Sequence, residues 1–135
     1  MATFEKFEDI DAWRLAREIA AEMFQFTLRE NVARDFRLRD QIRGSSGSMM
    51  DNIAEGFGRG GNTEFVQFLG YGIGSGNELK SQCYRSLDYK YLSQDEFQKL
   101  YDKINRYNKM VAGLMKYLNQ TDIKGEKFKN RTKKK

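Results

Sequence analysis

Apolar residues recur along most of this chain at spacings of three and four, the period of a helix that buries one face. The clearest run is Phe97, Leu100, Ile104, Tyr107, Val111, Leu114 and Leu118. Just before it, Ser93-Gln94-Asp95-Glu96 has the form of a capping box, in which hydroxyl and carboxylate each satisfy a free backbone N–H at a helix start. A long helix is predicted there. Near the N-terminus, Ala12, Leu15, Ala16, Ile19, Met23 and Phe26 share a face that Trp13, Ala20 and Phe24 widen, with Asp9 placed as its cap. So broad a stripe can meet two neighbouring helices. The polar break Glu30–Arg34 is short, so the next helix is expected to return antiparallel.

Two stretches rich in glycine and serine, Gly44–Ser48 and Gly70–Gly76, read locally as loops. Both nevertheless lie between strong apolar segments. If Phe57–Gly61 is the turn of a helical hairpin, the clusters lie about equally far from it, small residues face small residues, and both segments are helical. Each interior glycine costs about 0.8–1 kcal/mol relative to alanine, which close backbone packing must offset. This register sets Gln41 opposite Glu78, Arg39 opposite Lys80 and Arg43 beside Gly76, and predicts that Glu78 pairs with Arg43 or Gln41. A helical break at Gly70–Gly76 is the alternative.

Composition narrows the chemistry. The 135 residues include no histidine, no proline and one cysteine. Without histidine there is no Ser-His-Asp or Cys-His catalysis and no Glu-x-x-His di-iron motif, so an enzyme is not expected, nor a cofactor or metal. Cys83 has no intramolecular disulfide partner and reads as a small apolar filler. The longest stretch without charge, Phe65–Asn77, has 13 residues where a membrane span needs about 20. Met1–Phe7 lacks the basic-then-apolar pattern of a secretory leader, so a cytoplasmic setting without membrane partners is expected.

The net charge of +5 is unevenly placed. In residues 121–135, Lys124, Lys127, Lys129, Arg131, Lys133, Lys134 and Lys135 stand against Asp122 and Glu126, while residues 1–120 hold 17 basic and 17 acidic side chains. The chain therefore reads as one domain, 1–120, followed by a basic extension, 121–135, that lacks apolar periodicity and is expected to be disordered. Such an extension binds phosphate backbones without sequence preference, or acidic protein or lipid surfaces, or merely aids solubility.

Within the domain, Gly56-Phe57-Gly58-Arg59-Gly60-Gly61 matches G-x-G-x-x-G, but a dinucleotide site needs a preceding strand, and Asp51–Glu55 looks helical. A glycine-rich helix end and turn is the expectation, with Asn62 or Thr63 capping the next helix and Arg59 as a candidate phosphate contact. Arg34, Arg37, Arg39 and Arg43 read either as solvated surface with i,i+4 pairs or as backbone contacts for nucleic acid. Tyr84, Tyr89, Tyr91, Tyr101, Tyr107 and Tyr117 are expected in core or interface positions. Glu55 and Glu64 are read as helix-end carboxylates.

The block Asp51-Asn52-Ile53-Ala54-Glu55-Gly56-Phe57-Gly58-Arg59, followed by Glu64-Phe65, Phe68-Leu69 and Gly74-Ser75-Gly76-Asn77-Glu78-Leu79, resembles the four-helix-bundle family of 23S rRNA intervening-sequence proteins. Phe7–Trp13 and Asp40-Gln41-Ile42-Arg43 fit the same pattern, and the likeness spans about residues 4–119. Met50 departs from a common proline and Gly72 from a common alanine. The resemblance implies an all-α, antiparallel up-down four-helix bundle, a helical Gly70–Gly76, assembly into a ring, a homopentamer, and no enzymatic activity. A more distant similarity, to the accessory protein of diversity-generating retroelements, implies a nucleic-acid and reverse-transcriptase partner. Together these readings predict a non-catalytic oligomer that binds structured RNA, or an RNA/DNA intermediate, by electrostatic contact. Its contacts are assigned to Arg37, Arg39, Arg43 and Arg59 and to the seven cations of the extension. A scaffold or adaptor for a polymerase or reverse transcriptase is the alternative.

Overall fold

The structure is a computed structural model that describes the backbone of residues 4–132 and the side chains of residues 4–120. A 3-10 turn, Phe7–Asp9, precedes α1 (Asp11–Thr27), the single turn α2 (Glu30–Ala33), α3 (Phe36–Gly58), α4 (Asn62–Asp88) and α5 (Gln94–Thr132). No strand occurs among the described residues. The expected disordered extension falls on 121–135, whose side chains lie outside the described residues.

The capping box forms as its sequence dictates: Ser93 N donates to Glu96 Oε1 at 2.9 Å, and Glu96 N donates to Ser93 Oγ at 3.1 Å. Every apolar residue of the stripe from Phe97 to Leu118 is buried behind it. The first helix, in contrast, does not start on Asp9. Phe7–Asp9 closes the 3-10 turn, Asp9 accepts from Lys6 N at 3.3 Å, and buried Ile10 occupies the N-cap of α1. Packing of Ile10 into the core decides that start over local capping preference. Glu30–Arg34 is also less polar than its composition, since Val32 within the turn α2 is fully buried.

α1 packs against α3 and α5, and α4 packs against the same two. Three of these pairings run antiparallel. Along α3 and α4, Gln41 meets Arg85 while Gly56 meets Phe68; along α4 and α5, Lys80 meets Asn105 while Asn62 meets Leu118. Between α1 and α5, Arg29 meets Glu96 and Lys103 bonds Glu22 at 2.9 Å. The common core contains Ile19, Met23, Leu38, Ile42, Met49, Ile53, Leu69, Leu79, Ile104, Tyr107 and Val111.

α4 runs unbroken through Gly70–Gly76, which settles that segment as helix. Its glycines do not meet those of α3. A Cβ on Gly72 would lie 2.5 Å from Tyr107 Oη and one on Gly76 would lie 2.5 Å from Asn108 Oδ1, so both face α5. Gly44, Gly47 and Gly74 would meet nothing within 4 Å. Close approach of α3 and α4 rests on Gly56, where a Cβ would come 2.6 Å from Phe68 Cβ. The expected cross-hairpin pairs are corrected for the same reason. Arg43 and Arg39 turn toward α1 and α2, Lys80 and Gly76 turn toward α5, and Gln41 accepts from Arg85 Nη1 at 2.9 Å. Glu78 is exposed and pairs with neither Arg43 nor Gln41.

Tyr107 explains the glycine at 72. Its buried hydroxyl donates to Met49 O at 2.8 Å and fills the volume that an alanine methyl would take. Burial pushes this phenol well above its ordinary pKa, so it stays a donor. With the hydroxyl removed, the nearest atoms to an added Cβ are Met49 O at 3.7 Å and Tyr107 Cζ at 3.8 Å, which are ordinary contacts. Gly72→Ala alone is therefore expected to cost about 1–2 kcal/mol, and adding Tyr107→Phe is expected to recover part of it. Additive losses in urea denaturation of the four chains would contradict this account.

Arg29 ties the end of α1 to the start of α5 by donating to both carboxylate oxygens of Glu96 and to Tyr91 O at 3.0 Å. Those bonds, and then the Ser93 N–H, hold the Glu96 carboxyl down at about 2. A depressed carboxylate stabilises the fold above its unfolded value and loses that contribution as pH falls through its folded value. The Tm difference between the parent and Glu96→Gln is expected to be widest above about pH 5 and to narrow toward about pH 2. A difference independent of pH would refute the linkage.

Candidate nucleic-acid interface

The four arginines around the start of α3 differ in what holds them. Arg34 lies 3.5 Å from Glu30. Arg37 is exposed and has no hydrogen bond or ion pair within the described residues. Arg39 donates from Nε to Asp40 Oδ1 at 2.9 Å and from Nη1 to Ala33 O at 3.3 Å, and its guanidinium lies 5.0 Å from the ring centre of Phe36. That contact also holds the Asp40 carboxyl below its usual range. Arg43 donates from Nε to the Thr27 hydroxyl at 2.9 Å and sits 4.6 Å from the ring centre of Phe24. Its hydrogen-bond partner is neutral, so its charge is not cancelled by that bond.

Local capping fixes where these side chains emerge. Asp35 accepts from Leu38 N at 3.3 Å to start α3, and its other oxygen accepts from Tyr91 Oη at 3.0 Å. The loop before α5 is thereby fastened to the N-terminus of α3. Arg39 and Arg43 follow one turn apart, both facing α1 and α2, which gives a fixed base to a surface formed by these two, while Arg37, two residues before Arg39, leaves α3 on a different side.

Arg59 stands elsewhere. It ends α3, about 30 Å of helix away from Arg39 at 1.5 Å per residue. Its guanidinium bonds Glu55 at 3.0 Å, reaches Glu64 at 3.8 Å and lies 5.0 Å from the ring centre of Phe68. Two carboxylates around one guanidinium leave this corner net negative, which weakens it as a phosphate contact. The glycines there serve the turn: Gly60 has φ +86°, which favours glycine, and Gly61 rather than Asn62 or Thr63 is the N-cap of α4. The G-x-G-x-x-G match thus lies between two helices, without the strand a dinucleotide site requires. Asn62 donates instead to Leu118 O at 3.5 Å, which places Arg59 at the end of the domain toward which α5 runs on to the extension. Within one chain the structure therefore separates Arg59 from Arg37, Arg39 and Arg43. Lys124, Lys127, Lys129, Arg131, Lys133, Lys134 and Lys135 lie outside the residues whose side chains are described.

Sequence reading missed two members of the surface beside Arg39 and Arg43. The stripe pattern puts Phe24 on the broad apolar face of α1, yet it is 45% exposed, and Phe36 is 66% exposed. The signal for Phe36 was its place beside the Asp35 cap, outside the Leu38 and Ile42 face. The tyrosines divide differently: Tyr107 is core, Tyr91 is a hydrogen-bond donor, and Tyr84 and Tyr101 pack with Phe97. Cys83 is fully buried, and burial pushes its thiol up to about 12, which suits an inert filler. No helix among the described residues is long and apolar enough to cross a membrane.

The family model for the 23S rRNA-intervening sequence protein matches residues 8–113, most of the chain and all of the surface around Arg37, Arg39 and Arg43. The chain belongs to this family. A crystal structure of a protein of unknown function from the S23 ribosomal protein family of Bacteroides thetaiotaomicron superposes with a TM-score of 0.71. It shares 18% identity and covers 78% of this chain and 98% of its own, a likeness that establishes the fold alone. No curated protein matches the chain in sequence. In this member of the 23S rRNA-intervening sequence family, the departure at Gly72 has a cause: the Tyr107 hydroxyl takes the space an alanine would need.

Proposed function

We propose that this family member is a non-catalytic antiparallel up-down four-helix bundle that self-associates into a ring and binds structured RNA mainly by charge. The observation that carries the RNA reading is the partition of charge: a balanced domain, and an extension with seven cations against two acids. Arg39 and Arg43 add the domain's own contribution at a fixed surface, with exposed Arg37 nearby in sequence, and membership of the 23S rRNA-intervening sequence family favours RNA as the partner. Repetition of the extension in an oligomer multiplies the local cation concentration without new contacts. Binding of RNA that weakens steeply with added salt tests this reading. Absence of binding at low salt would refute it.

Self-association draws support from the outer face of α3 and α4. Gln41, Gly44, Ser48, Glu78, Ser81 and Gln82 line a polar groove there. Gly44, Gly47 and Gly74 cost helix stability yet accommodate nothing within the chain. Gln82 is 9% exposed, and its Oε1, itself buried, has no hydrogen-bond partner among the described residues. Light scattering at micromolar concentration is expected to give a multiple of 15.8 kDa for the parent and a monomer for Gly47→Leu/Gly74→Leu. A monomeric parent would remove the ring.

A further inference from the structure

The surface at the start of α3 combines large exposed rings with positive charge: Arg39 is paired with Asp40, whereas the hydrogen-bond partner of Arg43, the Thr27 hydroxyl, is neutral. Phe36 and Phe24 leave 66% and 45% of their surface in solvent, where single apolar residues are tolerated but have no stabilising role. Each ring carries a guanidinium on one side, Arg39 at 5.0 Å and Arg43 at 4.6 Å. The two arginines are four residues apart on α3, about 6 Å of helix rise, and both turn toward α1 and α2. Hydrogen bonds to Thr27 and Ala33 fix both arginine stems, so ring and cation are ordered before any ligand arrives.

We infer that this surface is a stacking site for unpaired nucleotides, in which Phe24 and Phe36 each offer an open face to a base while Arg43, and Arg39 beside it, meet the adjoining phosphates. The inference rests on the RNA-binding reading and deepens it by naming the part of a structured RNA that the domain holds. Aromatic rings flanked by arginine take bases of any sequence, because every base has a π-face, but only where the bases are free of a duplex stack. An apolar protein partner suits the surface less well, since closing over the rings would also bury the Arg43 guanidinium, whose hydrogen-bond partner is neutral, away from water. Phosphate supplies the anion and the base supplies the flat apolar face, so one ligand satisfies both halves.

The test is fluorescence anisotropy of the full chain with two labelled probes at one salt concentration, oligo(A) and a blunt RNA duplex of equal length. Phe24→Ser/Phe36→Ser is expected to bind oligo(A) about tenfold more weakly or worse, with duplex affinity unchanged, because stacking contributes about 1–3 kcal/mol per base. Phe36→Trp, which keeps a larger ring, is expected to bind oligo(A) at least as well as the parent. Both rings are exposed, so circular dichroism of the serine variant should match the parent. Equal oligo(A) affinity of parent and serine variant, or equal losses on both probes, would overturn the stacking site and leave charge-based binding intact. A lower mass for the serine variant in light scattering would also overturn it, by making the rings subunit contacts. Failure of the parent to bind either probe would remove the RNA reading itself.

Discussion

Gly56→Ala is expected to destabilise the chain by about 2–3 kcal/mol, whereas Gly44→Ala and Gly47→Ala, in the same helix, are expected to stabilise it by up to about 1 kcal/mol each. All three gain the helix propensity of alanine and differ only in what surrounds the new methyl. At Gly56 it would lie 2.6 Å from Phe68 Cβ and 3.1 Å from Phe65 Cδ1. Phe68 Cβ is fixed to the backbone of α4, so relief requires the two helices to part. At Gly44 and Gly47 nothing lies within 4 Å. Urea denaturation in dilute solution separates these outcomes by sign, and a uniform sign for the three would mean that α3 and α4 do not cross at Gly56.

The elements legible in sequence were those whose local and tertiary preferences agree. The α5 stripe is one: a capping box, regular spacing and uniform burial all coincide, so Ser93 to Leu118 could be read directly. Gly70–Gly76 was ambiguous because glycine propensity opposes the helix that Tyr107 and Asn108 impose from α5. Hairpin register could not be taken from turn symmetry alone. That symmetry placed Gln41 against Glu78, but it carries no information on how far each helix is rotated, and rotation sends Arg43 to Thr27 and Lys80 to Asn105. Asp9 failed as a cap because burial of Ile10, a tertiary effect, shifted the start of α1.

The candidate site was legible in its charges and not in its geometry. Arg37, Arg39 and Arg43 were singled out from composition, and the structure does bring Arg39 and Arg43 onto one face. Arg59 was grouped with them, yet it closes the far end of α3 between Glu55 and Glu64. Those two carboxylates, read separately as helix ends, are what neutralise it. Phe24 was beyond sequence reasoning because an aromatic residue in an amphipathic helix is ordinarily buried, whereas Phe36 stands beside the Asp35 cap and off the Leu38 and Ile42 face, a signal that the sequence does carry. Only the three-dimensional position of Arg39 and Arg43 shows these rings to be capped by guanidinium on one side and open on the other.

Ending the chain at Gln120 is expected to remove most of its RNA affinity. The deleted segment carries seven of the 24 basic residues and a net +5, while the 120 residues that remain are balanced. Each phosphate neutralised by a cation releases condensed counterion, so the slope of log affinity against log salt measures how many such contacts a chain makes. Removing five net charges should lower that slope by about 3–5 and weaken binding at low salt by about a hundredfold or more, with a residue from Arg37, Arg39 and Arg43. Among the described residues the core runs from Ile10 to Leu118, all of which the shorter chain keeps. Salt titration of RNA affinity for the full chain and for residues 1–120 is therefore the most direct test of the account. A shallower slope and a large loss for the shorter chain are predicted, and equal affinity with equal slope would contradict it.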